Sequence, residues 1–581
     1  MLPAALEIPR TDVSSPWRAG EAGGATLLYL ALTLVLLFPI ARHPASSVMP
    51  GDPDTDLFMW TLAWNTHALA TDPLAIFDAN IYHPHRRTLA FSENLIGSTP
   101  LAAPILWAGG GPILALNVVV LLSLVLSGTG AFVLARRLGL SFPAALVAGA
   151  VFAFSPARFY RLGQLHLTTI QWIPFCLAWL HAYLDHGRAR DLRIALAFFT
   201  LQVVTSGHGA VFLILSAGTV VVWRVVTGEP FVLRRRLRDV GVPGLVLLVP
   251  AVLIAVPYRL VQTEFGLRRS LANWETTPES FIASVTNVDR FITSHLTDAR
   301  LDERATAYLF PGYAVLLLAS MALRRRGQGS PPPREAASSA RRAWLGAKHS
   351  PAAPYVLLLI LGLLLSAGPP LGLWPLVYWM PGFNFIRVPS RFALVGVLAL
   401  SVLAGIGAQR AITGRGRRRG AAVAALAVLA ITAECIAWPL PGYRQYTVRI
   451  PAADRWVARQ PRPFVVAEFP VTTADRLHST YMLHSTAHWQ NTVHGHSGLR
   501  TDLHNRLYDL MRGFPDEPSL AALADFGVTY LIVHSTIYPA SEWPSVAARL
   551  DRYADQLTLV HRSGPDRVYT LRSGRSVVDT R

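Results

Sequence analysis

Eleven apolar runs divide this chain, near residues 24–41, 114–135, 142–156, 168–186, 191–206, 208–227, 241–257, 308–323, 353–369, 391–409 and 420–438. A helix needs about 20 apolar residues to cross a bilayer, and a backbone in lipid must satisfy its own hydrogen bonds. So many runs of that size predict an α-helical polytopic membrane protein with about 11 transmembrane helices. Of the 581 residues, 52% are hydrophobic and only 15% are charged, far from the balance of a soluble domain. The first run is long for the apolar core of a signal peptide, and more runs follow it, so it reads as an uncleaved first span. The two cysteines, Cys176 and Cys435, lie inside apolar runs and give no disulfide framework.

The net charge of +18 is almost all arginine, Lys348 being the single lysine. The charges sit in short clusters between apolar runs, as membrane loops do, so nucleic acid is not the implied partner. The run 97–112, GSTPLAAPILWAGGGP, is broken by Pro and Gly and reads as a span or as a re-entrant or interfacial segment. Charge decides between these. With the N-terminus inside and 97–112 not crossing, the inner segments carry 24 of the 53 Lys and Arg, the outer loops 13 and the C-terminal region 16. If 97–112 crossed, every later basic cluster would turn outward, against the positive-inside trend. The expectation is therefore a plasma (inner) membrane protein with its N-terminus cytoplasmic and its C-terminal region extracytoplasmic.

Two domains follow: 1–439, a transmembrane domain with a first outer loop at 43–113, and 440–581, a soluble α/β domain on the outer face. In the second, RPFVVAEFP, GVTYLIVH and DRVYTLR read as strands. EPSLAALADFG and SEWPSVAARLDRYADQ read as amphipathic helices, the first stopped by Gly527. Residues 326–350 read as a disordered inner loop.

With this sidedness the outer face collects the unusual polar residues. GDPDTDLFMWTLAW, at 51–64, carries Asp52, Asp54 and Asp56. A solvated loop or helix capping would account for them. Alternatively, the aromatic, amphipathic segment that follows lies along the membrane and holds carboxylates at the interface, partly desolvated and basic enough to take a proton. His166 reads as a helix-end histidine or a ligand. His208, in SGHG, reads as part of a kinked span junction or of a place where backbone approaches a ligand. Arg158, Arg161, Arg259, Arg268, Arg269, Arg387 and Arg391 stand outside against the charge trend. Lipid headgroups explain some of them, but guanidinium forks also pair bidentately with phosphate. Alternating carboxylates would suit Mg2+ or Mn2+, with Asp52 and Asp54 as ligands. In HSTAHWQNTVHGHSG, His494 and His496 would share one face of a strand. No cysteine accompanies them and no zinc spacing is met, so packing over the active site or acceptor contact is the expectation.

In this pattern the chain resembles the GT-C glycosyltransferases, multi-span enzymes that use polyprenyl-phosphate-linked sugars, and in particular the bacterial RgtA/PMT-like branch related to ArnT. The resemblance rests on GDPDTDLFMWTLAWNTHAL after the first span and YHPHRRTLAFSENL closing that loop. It rests also on FAFSPARFYRLGQLHLTTIQWIPF, FPGYAVLLLA, FNFIRVPSRFALVGVLALSVLAGIG and the tail VVAEFP … HSTAHWQNTVHGHSG … FGVTYLIVH … VYTL. It covers nearly the whole chain through the order of these motifs. It implies a hexosyl- or pentosyltransferase acting in cell-envelope glycan synthesis, with an acid of the first outer loop, Asp52 or Asp54, as catalytic base. Arg158, Arg161, His166, His208, Arg259, Arg387 and Arg391 would bind substrate phosphate, and Asp56, His494 and His496 would stand on the acceptor side. Later-loop acids, Glu264, Glu275, Glu279 and Asp289, are further candidates. The implied partners are a polyprenyl-phosphate sugar donor, a glycan, lipid or protein acceptor, and membrane lipid. A transporter or flippase would need polar mid-span residues and repeated, broken halves, and a non-catalytic scaffold would need no acid cluster.

Overall fold

This computed structural model describes residues 19–48, 53–159, 161–228, 233–266, 276–297, 301–324, 350–368, 372–380, 386–440, 443–472 and 475–572. Asp52, Arg268, Arg269, Glu275 and nearly all of the stretch 326–350, read above as a disordered inner loop, lie outside them. The chain divides into two compact units. The first comprises Met1–Arg42, Val119–Ile254 and Leu267–Tyr443; the second comprises His43–Val118, Ala255–Gly266 and Arg444–Arg581.

Each of the eleven apolar runs is helical. Among the described residues, five helices are long and apolar enough to cross a membrane: Pro112–Arg137, Phe142–Phe159, Gly207–Val226, Leu233–Phe265 and Pro389–Ile412. Three shorter apolar helices accompany them, Gly20–Leu36, Tyr313–Leu323 and Ala353–Ser366. The helix Thr99–Trp107 has nine residues. It rises about 14 Å, under half of a hydrocarbon core.

In the first unit the helix Ala393–Ile412 is buried without a break from Ala393 to Ala408. Small residues let its neighbours close on it, as helix packing in lipid requires. Gly396 lies against the backbone face of Gly362, Gly405 against Ala144 and Ala148, and a Cβ at Gly407 would overlap the Leu318 carbonyl. The helix Leu233–Phe265 behaves in the opposite way. It bends at Gly241, whose positive φ of 55° suits glycine, and Leu245, Val246, Val252 and Leu253 stand exposed. A contiguous apolar surface of this kind belongs in lipid rather than water. The chain is a membrane protein.

The second unit is built on a five-stranded mixed sheet. Val465–Phe469 runs parallel to Asn491–Thr492 on one side and to Tyr530–His534 on the other; Asp566–Leu571 and Leu557–Ser563 follow antiparallel. The three strands and two helices read from the sequence are all present. A sheet core of Ala453, Val457, Phe464, Val466, Ile532 and Val568 is buried.

The segment His43–Val118, which contains the loop 43–113, belongs to this same unit, a grouping that no local pattern announces. Ser47–Val48 pairs antiparallel with Arg444–Gln445. Residues 80–83 extend the edge of the sheet: Thr492 N–H donates to Asn80 O at 2.8 Å, His83 N–H to Thr492 O at 3.0 Å, and Tyr82 N–H to His494 O at 3.1 Å. The buried Tyr82 ring lies where a Cβ on Gly495 would have to go. The YHPHRR motif thus works as a seam between loop and tail. The division between the units runs between Tyr443 and Arg444 here, and the loop falls on the tail's side of it.

Candidate functional site

Among the described residues, the candidates read from the sequence gather in two places, one in each unit. In the second unit, Asp54 and Asp56 lie in the first turn of the helix Pro53–Thr71, where backbone N–H groups favour negative charge. This helix does not have the one-sided exposure expected of a segment lying along a membrane. Thr55 to Leu62 are all buried. Trp64 packs on Trp489 with centroids 6.0 Å apart, and His67 stacks on Trp489 at 4.3 Å. The aromatic residues that suggested an interface are packing residues.

Two positions apart in that turn, the acids point to different sides of the helix and have different surroundings. Asp56 is 2% exposed, and Ser479 Oγ donates to its Oδ2 at 3.3 Å. Burial pushes its carboxyl up, against the pull of Arg444, hydrogen bonds from Ser479 and Tyr446, and Arg476. Asp56 is therefore a tether between helices. The Asp54 side chain is 38% exposed, and its Oδ1 stands 3.3 Å from His496 Nε2. Among the described residues, it is the aspartate of the triplet that combines solvent access with an imidazole partner.

His494 and His496 do not share a strand face, because the strand ends at Thr492. His494 is fully buried. Its Nε2 accepts from Glu468 N–H at 2.7 Å, and burial holds its pKa down at about 4. It is a neutral structural histidine, while His496 faces the acid.

In the first unit three segments converge. The turn after Phe142–Phe154 brings Arg158, Arg161 and His166; the start of Gly207–Val226 brings His208; and Pro389–Phe392 brings Ser390 and Arg391. Arg391 Nη1 is 2.7 Å from His208 Nε2. A guanidinium always donates, so His208 is neutral here with its proton on Nδ1. The His166 and His208 rings lie 4.9 Å apart. Burial first, and the Arg391 charge next, hold His166 far below the usual imidazole range. Arg161 Nη2 donates to Ser390 Oγ at 2.9 Å. Ser206 Oγ donates to His166 O at 2.7 Å and accepts from Gly209 N–H at 3.1 Å, capping the 20-residue helix Gly207–Val226. Two guanidinium groups beside a helix N-terminus make an anion-binding arrangement. Ser206 and Ser390, which orient it, were not singled out from the sequence.

The remaining candidates are placed differently. Arg158 is 2% exposed and donates to Phe152 O and Thr168 O, both at 2.8 Å. It serves the backbone, the reverse of the phosphate contact expected of it. Arg259, exposed, bonds Gln262 Oε1 at 3.2 Å within its own helix, and Arg387 is exposed. Glu264 pairs with Arg87 at 3.0 Å, and Glu279 stands 3.9 Å from Arg304.

Asp289 is fully buried, with Ser284 and Thr286 hydroxyls donating to its Oδ2 at 3.0 and 3.1 Å. Burial outweighs these bonds and pushes its pKa up to about 6. A carboxyl raised above its unfolded value binds its proton more readily in the folded state, so stability rises as pH falls through about 6 toward 4. Asp289→Asn should remove that slope and raise the stability at pH 7 by on the order of 1–3 kcal/mol. Thermal midpoints in detergent at pH 5 and 7 measure both effects; an unchanged slope in the variant refutes the assignment.

For Mg2+ or Mn2+ at the acidic loop, the described residues offer one carboxylate and one imidazole at Asp54 and His496. A hard cation takes six or more ligands, mostly oxygens, and Asp54 falls in no group of three metal-ligating side chains among the described residues. Asp52, the other carboxylate of that pair, lies outside the described residues, and Asp54 with His496 alone does not make up such a set.

No protein-family model matches the chain, and no curated protein does. Solved structures do. The arabinofuranosyltransferase AftD from mycobacteria is similar to it with a TM-score of 0.63 and 17% identity, over 96% of this chain and 40% of AftD. A point variant of AftD gives 0.60 and 16%, over 96% and 42%. This chain has the GT-C fold. It spans less than half the length of AftD. The oligosaccharyltransferase of Archaeoglobus fulgidus, in complex with Zn and sulfate, stands further off, at a TM-score of 0.46 and 12% identity over 90% of this chain and 69% of that one.

Proposed function

We propose that this chain is an integral-membrane glycosyltransferase. It moves a hexosyl or pentosyl residue from a polyprenyl-phosphate donor to a glycolipid, polysaccharide or protein acceptor, at the extracytoplasmic face of the inner membrane. The observation that carries this reading is the GT-C fold, shared with AftD over 96% of the chain. AftD is named for arabinofuranosyl transfer, which makes a pentosyl donor the first to try.

The acceptor hydroxyl loses its proton to Asp54. Its oxygen bonds to the anomeric carbon as the bond from that carbon to the phosphate oxygen breaks, and polyprenyl phosphate departs. Direct displacement inverts the anomeric centre. In the first unit, Arg161 and Arg391 with the N-terminus of Gly207–Val226 are the groups suited to an anionic phosphate. The helicity of all eleven apolar runs supports eleven crossings, and the arginine distribution supports a cytoplasmic N-terminus with 440–581 outside.

The test is transfer by the purified chain in lipid nanodiscs, supplied with polyprenyl-phosphate pentoses and hexoses and with envelope acceptor fractions. Arg391→Ala should raise the donor KM about 10- to 100-fold, the range for hydrogen bonds to charged groups. Arg391→Lys should restore only part, lacking the planar fork. A folded protein that transfers nothing, together with unaltered envelope glycans in a deletion strain, would refute the reading.

A further inference from the structure

Beneath the sheet of the second unit, four ionisable side chains are buried together: Asp454, Glu468, His484 and His534, with exposures of 0, 1, 6 and 2%. They come from four elements, the helix Ala452–Val457, the strand Val465–Phe469, the end of the helix Asp475–His484 and the end of the strand Tyr530–His534. One ligand atom from each lies within 4.8 Å of all the others. A fold buries such groups at a cost of several kcal/mol per ion unless each finds a partner.

The hydrogen bonds leave one group out. Glu468 Oε2 lies 2.7 Å from His484 Nδ1 and 2.9 Å from His534 Nε2. Neither oxygen of Asp454 meets a donor on another residue among those described. Two carboxylates carry two negative charges. One divalent cation with two neutral imidazoles cancels them and gives Asp454 the partner it lacks.

The second observation concerns His534. The register sets Asp566 directly across from it, and its Nδ1 lies 3.0 Å from Asp566 Oδ1. A carboxylate on the far ring nitrogen is the arrangement that orients metal-ligating histidines and raises their basicity. It fixes the proton on Nδ1 and turns Nε2 toward Glu468 and Asp454.

We propose that Asp454, Glu468, His484 and His534 bind one structural Zn2+ in the globular part of this chain. Two nitrogen and two carboxylate-oxygen ligands, closed from solvent, suit four-coordinate zinc, whose ligand atoms stand about 3.4 Å apart for bonds of about 2.1 Å. The ion clamps two helices to two strands. It lies outside the glycosyl-transfer chemistry and is independent of it.

The full chain, purified in detergent without chelator, stripped, reloaded with zinc sulfate and gel-filtered, should retain about one equivalent of zinc by mass spectrometry. Cobalt chloride in place of zinc should give the visible bands of a tetrahedral site. Asp454→Asn and His534→Gln should lose the ion, and His484→Cys should keep cobalt while adding a thiolate-to-metal band. Wild-type protein with no retained zinc and no tetrahedral cobalt spectrum overturns the proposal. So does zinc that survives both ligand-loss variants, or that departs only with Asp54→Asn. Where a ligand-loss variant fails to fold, the wild-type cobalt spectrum decides alone.

Discussion

Asp54→Asn should lower the rate of sugar transfer by about 10²–10⁴-fold, the usual contribution of a positioned general base, with little change in the donor KM. The substitution keeps the shape of the side chain and an oxygen facing His496 Nε2, which lies 3.3 Å from Asp54 Oδ1, so the fold is spared. Asp56→Asn is the matched control, two residues along the same turn. Asp56 is 2% exposed and bonded to Ser479, so its amide should leave the rate within about threefold of wild type while shifting thermal stability, as expected for a buried carboxylate. His496→Ala should fall between them, because it orients the base without receiving the proton. Single-turnover transfer from a labelled polyprenyl-phosphate sugar, in nanodiscs, separates chemistry from binding. If Asp54→Asn keeps more than about a tenth of the rate, no base catalysis of that size resides at this residue. Asp52, the other loop acid the resemblance allowed, then becomes the base to test.

The contrast between these two acids shows what a sequence carries and what it withholds. The apolar runs were legible because span length and hydropathy are local properties, and each run is a helix here. The strands VVAEF, YLIVH and DRVYTL were legible for a similar reason: β-branched and aromatic residues between turn signals need no partner to be recognised. Partnership itself was not legible. Asn80 Nδ2 donates to Ser485 Oγ, 405 positions away, and nothing in either segment names the other. Pro53–Thr71 looked amphipathic because its aromatic residues were assigned to a bilayer, whereas Trp64 and His67 meet Trp489. His494 and His496 were placed on one face by the period of a strand that stops at Thr492. One signal was present and passed over. Glu468 is the single acid in the fully buried strand VVAEF, and a lone carboxylate between apolar neighbours needs partners from elsewhere. The histidines that supply them, His484 and His534, each close an element; they stood at the start of HSTAHWQNTVHGHSG and the end of GVTYLIVH with no role of their own.

Arg158→Met is the second large effect, and it separates the two arginines of RFYRLGQLH. The last carbonyls of a helix have no intrahelical donor. Phe152 lies in the last turn of Phe142–Phe154, and Arg158 Nη1 reaches its oxygen at 2.8 Å while Nη2 reaches Thr168 O at 2.8 Å. One guanidinium thus closes a helix end and braces the turn that carries Arg161 and His166. Methionine fills much of the same volume and donates nothing, leaving the Phe152 carbonyl unpaired at about 1–3 kcal/mol and Thr168 O with the Ile170 N–H alone, at 3.0 Å. That is a sizeable share of the stability of an ordinary domain, about 5–15 kcal/mol. The variant should therefore aggregate on gel filtration in detergent, or melt many degrees below wild type. Arg391→Ala, whose Nη1 bonds a histidine nitrogen rather than the backbone, should melt near wild type and fail in donor binding instead. The opposite result would return Arg158 to the phosphate: a monodisperse Arg158→Met protein with a wild-type thermal midpoint and weakened polyprenyl-phosphate binding. It would do so because a side chain that held two backbone segments together could not be removed without loosening them.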